Sequence, residues 1–218
     1  MQTDCNDKIA YICRGYKSFF STIIYTDMEY TDLLRTAEAA RSIRRFDQSR
    51  NISRDDIMKL IALARLTPSS RNAQPLKYYI AEGEICNSIF PLLGWAGYYK
   101  DWDGPEEGER PAAYLVQCRD NEISQNADTD CGIQLEAITL GAASLEFGSC
   151  KIKCFDSKRL SSILGLEANL VPEHVIALGY PAEKAMITDL GADGDFRYFR
   201  KDDVQCVPKR RLEDLVID

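Results

Sequence analysis

The sequence predicts a single α+β domain, and three observations carry that prediction. Apolar runs that read as strands are interspersed with capped amphipathic helices, but without the strict alternation that a parallel βαβ fold demands. No Pro-, Gly- or Ser-rich stretch is long enough to separate two domains, and no internal repeat is present. With 218 residues, 45% hydrophobic and 28% charged, the chain has the composition of a globular protein that can bury a substantial core.

Residues 1–27 are the least readable part. The run Ser18–Tyr25 (SFFSTIIY) is apolar but too short to span a bilayer, and no small-residue cleavage site follows it. Two readings stand: Met28 is the natural initiator, or the extension is a short arm packing on the body. Thr31 then has the chemistry to cap a helix that presents Leu33, Leu34, Ala37 and Ala40 on one side. Ser53 with Asp56 three residues later forms a capping-box pattern ahead of Ile57, Leu60, Ile61 and Ala64 at helical spacing. That helix must stop before Pro68, which disfavours helical geometry in Thr67. Lys77–Ala81 (KYYIA) reads as a strand, and a shorter helix is expected at about Glu84–Leu93.

A Gly-, Pro- and Glu-rich loop follows over Gly94–Pro111, opening with Trp95, Tyr98, Tyr99 and Trp102. It reads either as aromatic packing below an acidic surface loop or as a wall beside a substrate. Ala112–Cys118 is expected as a buried strand. Asp128 or Asp130 is expected to cap a long helix reaching Phe147, with Gly148 as its stop. Ser149–Phe155 reads as a strand, Asp156 as the cap of a helix ended by Gly165, and Val175–Pro181 as a further buried strand. From Glu183 the chain reads as a polar tail that ends in VPKRRLEDLVI.

Two motifs bracket the Ser53 helix. Arg41–Phe46 (RSIRRF) concentrates the guanidinium groups of Arg41, Arg44 and Arg45 around the hydroxyl of Ser42. Arg presents a planar donor fork to anionic oxygens, so this cluster suits a phosphate. The other reading is a solvated cluster at a helix C-terminus, where the dipole also favours cations. Pro68–Lys77 (PSSRNAQPLK) sets Ser69, Ser70, Asn72 and Gln74 between two prolines that stiffen the backbone. Its amides both donate and accept, which suits a flat polar edge; the same residue types also make a plain turn.

At these residues the chain resembles the nitroreductase family of FMN-dependent oxidoreductases, which carries an R-S-x-R-x-F-like motif and then P-S-S-x-N-x-Q-P one helix later. The C-terminal Lys209-Arg210-Arg211 matches as well. The resemblance covers residues 28–218 as one nitroreductase-like domain and implies a three-layer α/β/α sandwich around a mixed, largely antiparallel sheet. It implies that Arg41, Ser42, Arg44, Lys209 and Arg211 hold the phosphate of FMN. Pro68, Ser69, Ser70, Asn72 and Gln74 would line the cofactor from the second subunit of a homodimer, with backbone groups around Lys153 and Cys154 near the reactive edge of the ring. The sequence departs from the family pattern at Ala40, where many relatives have Arg, at Leu76, where Trp is usual, and at Lys153 and Cys154, where a Gly is common. The implied activity is hydride transfer from NADH or NADPH through FMN to an organic acceptor such as a nitroaromatic, quinone or flavin, with ping-pong kinetics and no catalytic side chain. A non-catalytic flavin- or anion-binding module, or a reductive dehalogenase or flavin-degrading relative, are the alternatives on the same scaffold.

Other chemistries find no pattern. A net charge of −7 argues against nucleic acid as a partner. No phosphate-cradling glycine loop and no G-x-S-x-G is present. The eight cysteines are scattered without a C-x-x-C pair, which disfavours a metal site and suits reduced thiols in the cytoplasm. His174, the one histidine, starts an apolar strand and reads as structural; Cys150 and Cys154 read as packing thiols, with a redox role as the rival.

Overall fold

A computed structural model describes residues 29–217, so the expectations for residues 1–27, for Met28 and for Cys5 and Cys13 lie outside the described residues. The chain divides into two compact units at Leu33/Leu34. Of the first, the described part is Glu29–Leu33, and helix α1 (Tyr30–Ala39) starts there. Thr31 lies inside that helix rather than ahead of it. The N–H of Glu29 is instead met by the Asp32 carboxylate at 3.3 Å.

The second unit, Leu34–Asp218, carries the sheet. Its strands are β1 (Phe46–Asp47), β2 (Leu76–Glu82), β3 (Ala113–Asp120), β4 (Gly148–Ile152) and β5 (Leu170–Pro181). All pairings within this sheet are antiparallel: β2 with β3, β3 with one edge of β5, and β4 and β1 with the other edge. Leu178 lies between Ala113 and Ser149, which fixes β5 at the centre.

Side chains alternate across a strand, and both faces of this sheet are apolar. Tyr114, Val116, Val175 and Ala177 point to one layer; Ala113, Leu115, Ile176 and Leu178 point to the other. The first layer is closed by α3 (Ile85–Ile89) and α5 (Ser157–Leu164) through Ile89, Leu160 and Leu164. The second is closed by α2 (Arg54–Arg65) and α4 (Asp128–Ser144) through Ile57, Leu60, Leu135 and Ile138. This is the three-layer sandwich with a largely antiparallel sheet. The caps of α2 and α5 form as the sequence indicates: Asp56 N–H donates to Ser53 Oγ at 3.1 Å, and Arg159 N–H donates to Asp156 Oδ1 at 3.0 Å. Gly165 ends α5 at φ 60°.

Helix α4 differs from expectation at both ends. Its side-chain cap is neither Asp128 nor Asp130, because Asp130 is buried and turned to another task. At its C-terminus Glu146 takes the left-handed turn (φ 62°), and Phe147 N–H bonds Ala142 C=O at 2.8 Å. Gly148 opens β4 instead, because a Cβ there would stand 2.9 Å from Ile43. The strand read at Ser149–Phe155 is correspondingly shorter, ending at Ile152. The expected polar tail is also structured: β6 (Lys184–Asp189), β7 (Phe199–Lys201) and β8 (Val204–Lys209) form a second sheet, with β6 and β8 parallel.

The RSIRRF segment is laid along the β4–β1 edge by two close approaches and one buried charge. Ile43 crosses Gly148, and Phe46, fully buried, crosses Gly179, where a Cβ would meet its ring at 2.7 Å. Ile43 N–H bonds Ser149 C=O at 2.9 Å. The Glu183 carboxylate, 2% exposed, accepts from the N–H groups of Arg44 (2.5 Å) and Arg45 (3.2 Å) and pairs with the Arg200 guanidinium. Gly179→Ala is expected to cost about 1–3 kcal/mol, because Phe46 cannot retreat without disturbing the core; chemical denaturation measures it, and an unchanged midpoint would contradict the packing. Glu183→Ala is expected to cost about 3 kcal/mol by the same assay, since it strands Arg200 and two amides together.

Candidate functional site

The segment that Glu183 holds forms one wall of a cavity of about 290 Å3. Ala40, Arg41, Ser42 and Arg44 line it as the chain leaves α1. Ser149 and Lys151 alternate with the buried Cys150 and Ile152 along β4, so they face α4, whose Glu136 and Thr139 sit one turn apart. The same period places Gln205, Val207 and Lys209 of β8 on the cavity side, with Tyr198 beside them.

Its charge is uneven. Lys151 is neutralised by Glu136 at 3.0 Å. Arg41, Arg44 and Lys209 form no ion pair among the described residues. Arg41 is positioned by a bond from Nη2 to Ala37 C=O at 2.6 Å, and its Nε is buried without a partner. The Arg44 guanidinium lies over the Tyr198 ring, 4.6 Å from its centre. Three cations with no ion-pair partner among the described residues, two of them forked donors, in one partly enclosed cleft suit an anion.

The other basic candidates point elsewhere. Arg45 Nε lies 3.3 Å from the Glu109 carboxylate. Arg210 and Arg211 are exposed beyond the end of β8, and Arg211 approaches Glu213 at 3.9 Å; neither lines the cavity.

The PSSRNAQP loop is built locally and lies outside this cavity. Ser69 donates to the Asp130 carboxylate, Ser70 N–H donates to its other oxygen at 3.0 Å, and Gln74 N–H donates back to Ser69 Oγ at 2.9 Å. The Gln74 side chain bonds Asn72 Oδ1 at 3.1 Å. Pro68, Ser70, Asn72 and Gln74 are exposed, and Arg71, Asn72 and Gln74 all carry positive φ (51°, 56° and 52°). Backbone strain of this kind, on a loop anchored by a buried carboxylate, marks a surface held in one shape. Along α4, Asp130 precedes Glu136 and Thr139 by roughly 9 and 14 Å at 1.5 Å per residue. The loop and the cavity of one chain are therefore near opposite parts of the same helix.

Lys153 pairs with Glu173 at 3.0 Å and Cys154 is exposed, its carbonyl accepting from Gly94 N–H at 2.7 Å; neither borders the cavity. His174 is bound at Nδ1 to Gln117 Oε1 at 3.1 Å, and burial lowers its pKa. Burial raises the pKa of the Cys150 thiol, as for an inert packing cysteine. Sequence reasoning missed Ser149, Lys151, Tyr198, Gln205 and the clamp Glu183. Counting back by twos from Lys209 would have found Gln205; nothing local marks Glu183 as buried.

A model of the nitroreductase family matches residues 37–97, which hold both motifs. A protein of Archaeoglobus fulgidus, provisionally named NADH dehydrogenase/NAD(P)H nitroreductase, is 27% identical over 70% of this chain and 87% of its own length. The solved structure of a nitroreductase family protein from Clostridium novyi is 25% identical, covers 71% of this chain and 87% of that one, and superposes with a TM-score of 0.59. A provisionally named nitroreductase from Desulfovibrio desulfuricans, solved in complex with FMN, shares the fold at a TM-score of 0.61 with 18% identity, covering 85% and 95% of the two chains. The three-layer fold, the paired motifs and these likenesses agree: the chain is similar to members of the nitroreductase family, whose model it matches over residues 37–97.

Proposed function

We propose that the protein is a homodimeric oxidoreductase that binds FMN and passes reducing equivalents from NADH or NADPH to an organic acceptor such as a nitroaromatic, a quinone or a free flavin. The observation that carries this reading is the cavity holding Arg41, Arg44 and Lys209 with no ion-pair partner among the described residues. The donor set fits the phosphate of FMN: two guanidinium forks, one ammonium and the Ser42 hydroxyl surround a space large enough for a phosphoryl group and part of its chain. When bound, the flavin supplies the two-electron chemistry, and the protein supplies binding, orientation and exclusion of water.

About 290 Å3 is at the small end for a cofactor site, so the flat ring needs a wall that this cleft lacks. The PSSRNAQP loop is exposed, strained into one shape and distant from the cavity of its own chain. It suits the cavity of a second copy, where Asn72 and Gln74 would bond the polar edge of the ring. Asp130 fixes the loop for that role without touching the ring itself. Tyr198, under Arg44, keeps the guanidinium in place before the anion arrives.

Purified protein is expected to be yellow or to become so with FMN, to release FMN and not FAD on denaturation, and to bleach on anaerobic addition of NADH or NADPH. Release of FAD alone, or failure to take up FMN, would contradict the proposal; uptake without bleaching would leave a binding module. Shared sites make a second prediction. Arg44→Ala and Asn72→Ala chains, each inactive alone, should regain up to half the wild-type activity per dimer on co-expression, because one heterodimer site is intact. A fully active monomer in sedimentation would contradict the arrangement.

A further inference from the structure

One buried amide on the cavity wall has no part in the family pattern. Gln205 stands near the start of β8, the middle strand of the second sheet, between Ala185 of β6 and Arg200 of β7, and is 0% exposed. Its Oε1 accepts the Tyr99 hydroxyl at 2.7 Å. Its Nε2 is buried and has no hydrogen-bond partner among the described residues. A buried donor left unmatched is uncommon in a native fold and needs an explanation. Gln205 shares the cavity with Arg41, Arg44 and Lys209, which are donors only, so none of them can accept its proton. The acceptors that line the cavity, the Glu136 carboxylate and the hydroxyls of Ser42, Thr139, Ser149 and Tyr198, do not bond it either, so an acceptor on a ligand would satisfy it, and the three cations suit an anionic one.

We propose that Gln205 is a fourth, uncharged arm of the anion site, donating from Nε2 to an oxygen of a phosphate monoester and aimed there by Tyr99. The proposal rests on the reading of the cavity as the phosphate site of FMN, and deepens it. Tyr99 comes from the aromatic loop that follows Gly94, and its ring packs edge-on against Tyr198 at 5.3 Å. Tyr198 in turn carries Arg44 on its face. One aromatic pair thus sets the direction of an amide and of a guanidinium together. Tyr99 is a positioning residue, since it acts through Gln205. Its hydroxyl, by donating to the carbonyl end, leaves the N–H₂ end for the cavity.

The test compares FMN with riboflavin, which lacks the phosphate, by quenching of flavin fluorescence on apoprotein. Gln205→Glu keeps the shape and the acceptor for Tyr99 but replaces the donor with a negative charge. It is expected to weaken FMN at least about tenfold and to change riboflavin less than about twofold, with Tyr99→Phe weakening FMN about threefold. FMN affinity unchanged in Gln205→Glu, or equal losses for both flavins, would overturn the proposal. Should the variants fail to fold, the side-chain amide signal of Gln205 in the wild type decides: it should shift and exchange more slowly on addition of inorganic phosphate, and no change would overturn the proposal. Wild type that takes up no FMN would instead sink the reading of the preceding section. Inorganic phosphate that raises the melting temperature of wild type but not of Gln205→Glu would still support the fourth arm, and equal stabilisation of both would overturn it.

Discussion

The structure depends on how a charged segment is pressed against the edge of an apolar sheet. RSIRRF alternates between side chains that must be buried and side chains that must not be. Ile43 and Phe46 enter the core layer only because Gly148 and Gly179 leave room for them, and that choice turns Arg41 and Arg44 the other way. The half-buried backbone between them is then held by Glu183, whose carboxylate takes two N–H groups and one guanidinium inside the fold. Such a buried carboxylate is weak evidence of net stability but strong evidence of geometry, because its partners have one arrangement that satisfies it.

Around this fixed segment the cavity is assembled by periodicity alone. Strand β4 contributes Ser149 and Lys151, β8 contributes Gln205 and Lys209, and α4 contributes residues one turn apart. The basic residues sort by partner rather than by type. Lys151, Arg45 and Arg200 are neutralised by Glu136, Glu109 and Glu183, while Arg41, Arg44 and Lys209 have no ion-pair partner among the described residues. In a chain whose net charge is −7, that concentration of unmatched positive charge sets the cleft apart from the overall balance of the protein.

Legibility followed the range of the interaction. Helix α5 could be read at both ends because Asp156 and Gly165 announce themselves within a few residues, and the same holds for the Ser53 cap of α2. Gly148 misled because a glycine needed for close packing looks like a glycine that ends a helix; the contact with Ile43 is invisible locally. Strands β6–β8 were not legible because their side chains are mostly exposed or half-exposed with polar and apolar residues mixed, and the one side chain there at 0% exposure is the polar Gln205. Asp130 looked like a cap and proved to be the anchor of Ser69 and Ser70, 60 residues earlier in the chain. For the site, the family resemblance grouped Arg41, Ser42, Arg44 and Lys209, which the fold brings to one cavity, whereas residue type alone left the basic C-terminal run as a solvated tail. The resemblance gave no sign that Arg211, Lys153 and Cys154 stand away from that cavity, and residue type none that the Pro68–Gln74 loop of the same chain does so too.

The central claim is electrostatic: Arg41, Arg44 and Lys209 hold a phosphate as a dianion. Phosphorus NMR of the protein with bound FMN tests it most directly. A free phosphate monoester takes up its proton near pH 6. The account predicts that the bound signal does not move between about pH 5.5 and 8, because three unpaired cations keep the dianion far below its ordinary pKa. A bound phosphate that titrates near 6, as it does in water, would contradict it.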